Sequence, residues 1–150
     1  MDGLDALIPR GWLRAAVPTV LFVCVENMFR SIMAEALFNA NAPPGWRAAS
    51  AGVDASKERI NPAATILLGD IGVPVSKVRP QQVTAEMIGD AARVVTFGCV
   101  DRCPAGAKGK SEDWPVPGST GRTHAELREI REELRRRVLD LVVRLPKGKD

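Results

Sequence analysis

The chain reads as an α/β fold organised on a mostly parallel sheet, and three observations predict it. Short runs of β-forming apolar residues alternate with stretches of helical periodicity. The run Arg93-Val-Val-Thr-Phe97 is apolar enough to lie inside a sheet covered on both faces. The length, 150 residues without an internal repeat, suits one domain that buries its own core.

Residues 1–18 read as an N-terminal arm, in which Leu4, Leu7, Ile8, Trp12 and Leu13 are spaced for a short amphipathic turn that Pro18 ends. The first strand is expected over Thr19 to Val25. A helix from about Arg30 to Asn41 follows, carried by the helix-favouring Met33-Ala34-Glu35-Ala36-Leu37-Phe38, and Pro43-Pro44-Gly45 breaks it. Trp46 to Ala51 is the second strand, closed by Gly52. Asn61-Pro62 supplies an N-cap and a proline at the first helical position; that helix runs through Ile66, Leu67 and Ile71 to a stop at Gly72, with Pro74 beyond. Thr84 caps a short helix over Ala85 to Ile88, and Arg93 to Phe97 forms the next strand. Gly98 to Gly121 reads as one long loop, and loops of that length in compact domains usually carry function or are disordered. Thr123-His124-Ala125-Glu126 is a capping box. It opens a helix with Leu127, Ile130, Leu134, Val138 and Leu141 on one face, which Pro146 ends before a fraying tail. Residues 19–150 are therefore expected to be a single domain.

Composition narrows the partners. Lysine and arginine number 21 against 18 acidic residues, a formal charge of +3 spread along the chain, so no basic tract calls for nucleic acid. No apolar run reaches membrane-spanning length, and Asp2, Asp5, Arg10 and Arg14 interrupt any signal-peptide core. Three cysteines without a secretory signal fit a redox or catalytic use in the cytoplasm better than a disulfide framework. No cofactor and no resident metal are expected.

The candidate site is Val20-Leu-Phe-Val-Cys24-Val25-Glu26-Asn27-Met28-Phe29-Arg30-Ser31. A strand ends at Cys24 and a helix begins near Arg30, so five residues fold back between them. Their backbone N–H groups converge on one point, at which the helix N-terminus aims its partial positive charge. Such a nest suits a tetrahedral oxyanion. The amides of Val25 to Phe29 with Arg30 and Ser31 would hold it, and the Arg30 guanidinium adds a bidentate clamp. Cys24 sits at the floor, where the same field favours a thiolate nucleophile. Asn27 is placed to brace the loop, and the Ser31 hydroxyl to donate to the thiolate. On spacing alone, a buried structural cysteine with Arg30 on a solvated helix explains the pattern equally well; the strand–loop–helix context favours the functional reading.

Two later stretches carry chemistry. Cys99-Val-Asp-Arg-Cys103 directly follows the strand at 93–97. Residues four apart on a helix lie about 6 Å apart, within disulfide reach, and a short exposed bridge there would reduce easily. Two ordinary thiols explain the pair as well. A zinc site from Cys24, Cys99, Cys103 and His124 is a third reading, although the spacing matches no common zinc pattern; His124 otherwise belongs to the helix cap. Glu112-Asp113-Trp114 offers carboxylates in the long loop, one of which could reach over the cradle as a general acid; a solvated charged turn is the plainer alternative.

The stretch Cys24-Val-Glu-Asn27-x-x-Arg30-Ser31-x-Met33-Ala34-Glu35-Ala36 resembles the catalytic loop of the low-molecular-weight protein tyrosine phosphatase superfamily, and within it the arsenate reductases on that fold. Ser50-Ala51-Gly52, Cys99 with Cys103, and Glu112-Asp113-Trp114 agree with that branch, and the match spans about Thr19 to Leu145. The resemblance implies a four-stranded parallel sheet flanked by helices in a three-layer sandwich, with residues 19–150 as the catalytic domain. It implies arsenate reduction by a thiol relay. Cys24 attacks arsenate, Cys99 attacks the adduct and releases arsenite, and Cys103 resolves the Cys24–Cys99 disulfide. Thioredoxin or a similar dithiol then reduces Cys99–Cys103. This chain departs from the family in carrying the bulky Met28 and Phe29. It also has Gly118-Ser119 where the family commonly places an Asp-Pro pair whose aspartate is the general acid; Asp113 is the candidate substitute, solvent the other proton source. A phosphatase working through a phosphocysteine at Cys24, and an oxyanion or redox sensor with lost turnover, are the competing functions.

Overall fold

The computed structural model describes residues 17–98 and 109–146. Four strands, β1 (Thr19–Cys24), β2 (Arg47–Gly52), β3 (Arg93–Thr96) and β4 (Ser111–Asp113), form one parallel sheet in the order β2-β1-β3-β4. Among the described residues four helices accompany it: α1 (Arg30–Asn41), α2 (Pro62–Gly69), α3 (Ala85–Asp90) and α4 (His124–Arg144).

Alternation along β1 assembles two cores, as a strand covered on both faces must. Val20, Phe22 and Cys24 face α1, α2 and α4 and join the larger cluster, with Ile32, Leu37, Phe38, Leu67, Leu134, Val138 and Leu141. Leu21 and Val23 point the other way, into a smaller cluster with Ile88, Ala91 and Val94 beside α3. Helices thus flank both faces of the sheet, and β3 lies between β1 and β4 as its apolar run predicts.

Side-chain caps start three of the helices. Asn61 accepts from Ala63 N–H with Pro62 at the first turn, Thr84 accepts from Met87 N–H, and Thr123 with Glu126 completes the capping box. Helix α4 buries Ile130, Leu134, Val138 and Leu141, the stripe read from sequence. Helix α2 stops at Gly69, short of the expected Ile71, and Ile66 faces solvent at 58% exposure because the buried stripe runs through Ala64, Leu67 and Leu68. No helix among the described residues is long and apolar enough to cross a membrane.

The expected single loop from Gly98 to Gly121 contains β4. Three polar residues, Ser111-Glu112-Asp113, carry no strand signature of their own; they pair because Thr96 and Asp113 meet in register beside β3. Trp114, read beside a loop carboxylate, is 3% exposed in the core, edge-on to Phe97 at 5.9 Å and packed on Phe22 at 5.8 Å. The N-terminal turn over Leu4 to Leu13 and the Cys99–Cys103 segment lie outside the described residues.

Candidate active site

The loop from Cys24 to Ser31 leaves β1 at the carboxyl edge of the sheet, where parallel α/β folds place ligands. Its tightness depends on two unusual backbone positions. Asn27 adopts a left-handed conformation with φ 56°, which asparagine tolerates better than most residues. Gly52 backs the loop so closely that a Cβ there would lie 2.5 Å from the Val25 carbonyl oxygen and 2.9 Å from the Asn27 nitrogen. The Val53 and Asp54 N–H groups donate to the Cys24 and Val25 carbonyls at 3.1 and 2.8 Å, fastening the loop from behind.

At the floor, a directed hydrogen-bond chain ends on sulfur. Gln81 N–H donates to Asn27 Oδ1 at 2.8 Å, which settles which end of the amide is the oxygen. Asn27 Nδ2 then donates to Ser31 Oγ at 2.7 Å. Ser31 Oγ also lies 2.9 Å from Cys24 Sγ, in hydrogen-bond contact with it. The Asn27 N–H donates to the same sulfur at 3.2 Å. Cys24 is 3% exposed, and Asn27 and Ser31 are fully buried. The buried sulfur thus has two polar partners, the Asn27 N–H and the Ser31 hydroxyl.

Above the sulfur opens a cavity of about 280 Å³ lined by Cys24, Val25, Glu26, Met28, Phe29, Arg30, Lys57, Asn61, Gly118, Ser119 and Thr120. Among the described residues, the N–H groups of Glu26, Met28 and Phe29 find no backbone acceptor. Helix α1 begins here with Phe29 at its cap and no side-chain cap, unlike the other three helices. Its first-turn donors are therefore left for a ligand or solvent. Arg30 Nη1 donates to the Phe97 and Val116 carbonyls at 2.8 and 2.9 Å. That steadies the guanidinium and leaves its Nε–Nη2 edge without a partner among the described residues. Together these groups can hold a tetrahedral oxyanion against a nucleophilic sulfur.

Cys24, Arg30 and the loop residues between them thus lie around one cavity. Asp113 does not join them. Its Oδ1 accepts from the Thr96 hydroxyl at 2.6 Å and the Gly98 N–H at 2.7 Å, tying β3 to β4, and it does not line the cavity. Glu112 pairs with Arg144 and accepts from the Trp114 indole. Among the described residues the only lining carboxylate belongs to Glu26, an exposed residue of the cradle itself. Cys99 and Cys103 lie outside the described residues, and no metal-holding cluster of His, Cys, Asp and Glu occurs among the described ones. Lys57, Asn61 and Gln81 were not singled out for the site. Only Asn61 carried a signal, as a helix cap; its Nδ2 also donates to Ser119 Oγ at 3.1 Å, holding the late loop over the mouth.

Residues 19–150 match the family model described as low molecular weight phosphotyrosine protein phosphatase. The chain belongs to this family. Within the family, it is 28% identical over 121 residues to an arsenate reductase of Staphylococcus aureus, covering 78% of this chain and 90% of that protein. Among solved structures, a thioredoxin-dependent arsenate reductase from Corynebacterium glutamicum is 34% identical with a TM-score of 0.70; the match covers 83% of this chain and 60% of that one. A low molecular weight protein tyrosine phosphatase from T. tengcongensis is 27% identical with a TM-score of 0.76, covering 85% of this chain and 99% of that one. Family membership makes the chain an enzyme of this superfamily, with reductases and phosphatases both among its relatives.

Proposed function

We propose that the protein is a cytoplasmic arsenate reductase working by a three-cysteine relay. Arsenate docks on the cradle amides and the free edge of Arg30. The Cys24 thiolate attacks arsenic, and an arsenate oxygen leaves as hydroxide or water. The Cys99 thiolate then attacks Cys24 sulfur; the As–S electron pair passes to arsenic, arsenite departs, and a Cys24–Cys99 disulfide remains. Cys103 attacks Cys99, freeing Cys24, and an external dithiol such as thioredoxin reduces the Cys99–Cys103 bridge. Two thiols thus supply the two electrons.

The observation that carries this reading is the pairing of a hydrogen-bonded Cys24 with a late loop whose described residues present Gly118, Ser119 and Thr120 and no carboxylate to the cavity. Phosphoester hydrolysis must protonate an alkoxide or phenoxide and later activate water, so a missing acid weakens both steps. Adduct formation on arsenate expels only hydroxide or water, which solvent helps to protonate. The second cysteine pair in the sequence and the reductase relatives support the same choice.

The deciding experiment gives one preparation both substrates: arsenate with thioredoxin, thioredoxin reductase and NADPH, and an aryl phosphate. Arsenate turnover that Cys99→Ser abolishes, with aryl phosphate hydrolysis slow, is the expected result. Fast aryl phosphate hydrolysis with no arsenate turnover would make the protein a phosphatase and Cys99 and Cys103 bystanders.

A further inference from the structure

We propose that Lys77 is a positioning residue for the Cys24 thiolate, fixing the strap that lays Gln81 against Asn27. This rests on Cys24 being the nucleophile. The observation behind it is how the outer edge of the sheet is closed. β2 is an edge strand, and an unpaired edge must be covered or blunted. Three residues of β2 have their outward backbone groups taken. Ala48 is held by Asn39, whose Oδ1 accepts its N–H at 2.8 Å and whose Nδ2 reaches its carbonyl at 3.2 Å. Gly52 exchanges bonds with the backbone of Gln81 and Val83. Between them, the Ser50 carbonyl takes the Lys77 ammonium at 2.9 Å and Gln81 Nε2 at 3.4 Å.

Lys77 does more than close an edge. Its ammonium also meets Ser50 Oγ at 3.0 Å and Glu35 Oε1 at 3.4 Å, while the Ser50 hydroxyl donates to Glu35 at 2.5 Å. Ser50 is fully buried, and the Lys77 and Glu35 side chains are only 20% and 19% exposed. A carboxylate this enclosed needs its cation, and the cation needs these oxygens. Glu35 belongs to α1, the helix that carries Arg30 and Ser31 at its start. The cluster therefore joins the catalytic helix, the sheet edge and the strap at one point.

Four residues beyond Lys77, the strap delivers the Gln81 N–H to Asn27 Oδ1. That bond orients Asn27, Asn27 orients Ser31, and Ser31 is left in place to donate to a Cys24 thiolate. Without the ammonium, Ser50 keeps only the long Gln81 amide contact, and Glu35 keeps only the Ser50 hydroxyl. Gln81 then holds its place through Gly52 and the Gln82 contacts alone, and the aim of its N–H on Asn27 loosens.

The test compares Lys77→Met with the wild-type full chain, following Cys24 alkylation by iodoacetamide through peptide mapping. The expected result at pH 6.5 is about five- to tenfold slower modification, with the gap closing towards about pH 10, where an ordinary thiol is also ionised. In a Ser31→Ala background, Lys77→Met should change the rate by less than about twofold, because the chain it acts through is already cut. Asn39→Ala, which opens the same edge away from the strap, should lower the melting temperature without slowing Cys24. Wild-type reactivity in Lys77→Met, or equal slowing by Asn39→Ala, would overturn the proposal and leave Lys77 as an edge plug. Should Lys77→Met fail to fold, Lys77→Gln, which keeps an amide donor but no charge, is read the same way. Absence of phosphate protection at Cys24 in the wild-type chain would instead defeat the nucleophile reading beneath the proposal.

Discussion

Glycine at position 52 is a steric requirement of the site. A methyl group there would meet the Val25 carbonyl oxygen at 2.5 Å and the Asn27 backbone at 2.9 Å, and both are fixed main chain. Gly52→Ala should therefore displace the cradle; the expected outcome is loss of phosphate binding by calorimetry together with a stability loss of about 1–3 kcal/mol in urea. Gly118 is the opposite case. A Cβ there would sit 3.9 Å from the Arg30 guanidinium, an ordinary contact, and its φ is not positive. Gly118→Asp should fit and place a carboxyl at the mouth. Aryl phosphate kcat is expected to rise about tenfold or more, and KM to rise as the new carboxylate competes for Arg30. An unchanged kcat would show that leaving-group protonation does not limit hydrolysis. At this scale the sequence was informative where chemistry is local: Cys24, Asn27, Arg30 and Ser31 are one loop, and their spacing implies their meeting. Gln81 and Lys77 reach the site through backbone placement set far along the chain, and nothing in the sequence around Asp113 tells that Gly98 and Thr96 donate to its carboxylate.

Among the elements, α4 shows what local pattern determines. Its capping box, its buried stripe and its end before Pro146 were all readable, because caps and helical period are properties of neighbouring residues. β4 was not readable, since three residues pair only through the partner strand that Trp114 and Asp113 hold beside them. The cap also has a pH signature. The Glu126 carboxyl is held below its usual 4.5 chiefly by the Thr123 backbone N–H, then by the Thr123 hydroxyl, with Arg122 adding attraction. A carboxyl depressed in the folded state stabilises it fully above the unfolded value, and the contribution vanishes as pH falls through the folded value. Glu126→Gln should thus be less stable than wild type at pH 7, and the gap should close by about pH 2–3. Thr123→Ala removes the other half of the box and should cost about 1 kcal/mol in urea denaturation at pH 7. A Glu126→Gln gap that stays constant with pH would place the effect elsewhere than in the ionised cap.

For the whole molecule, the sheet order puts the carboxyl ends of β1 and β3 side by side, with Val23 paired to Thr96. The chain leaving β3 is then pinned twice: the Phe97 carbonyl lies on Arg30, and the Gly98 N–H lies on Asp113. In the sequence Cys99 is the residue after Gly98, and Cys103 comes four residues later. The proposed relay makes different demands on the two. Cys99→Ser should stop at the arsenic adduct or divert to external thiol, since nothing on the chain can attack Cys24 sulfur. Cys103→Ser should release about one arsenite per chain and trap a Cys24–Cys99 disulfide, because no resolving thiolate remains. Trapping requires the two Cα atoms to approach within about 7 Å, which mass spectrometry of the unreduced product reads directly as a cross-linked peptide pair. Aryl phosphate hydrolysis should be nearly unchanged in both variants, as a phosphocysteine uses neither thiol. A Cys103→Ser chain that keeps turning over arsenate with thioredoxin as sole reductant would remove Cys103 from the scheme. The partner would then have to attack the Cys24–Cys99 disulfide itself, at a sulfur that the buried floor of the cradle leaves only 3% exposed.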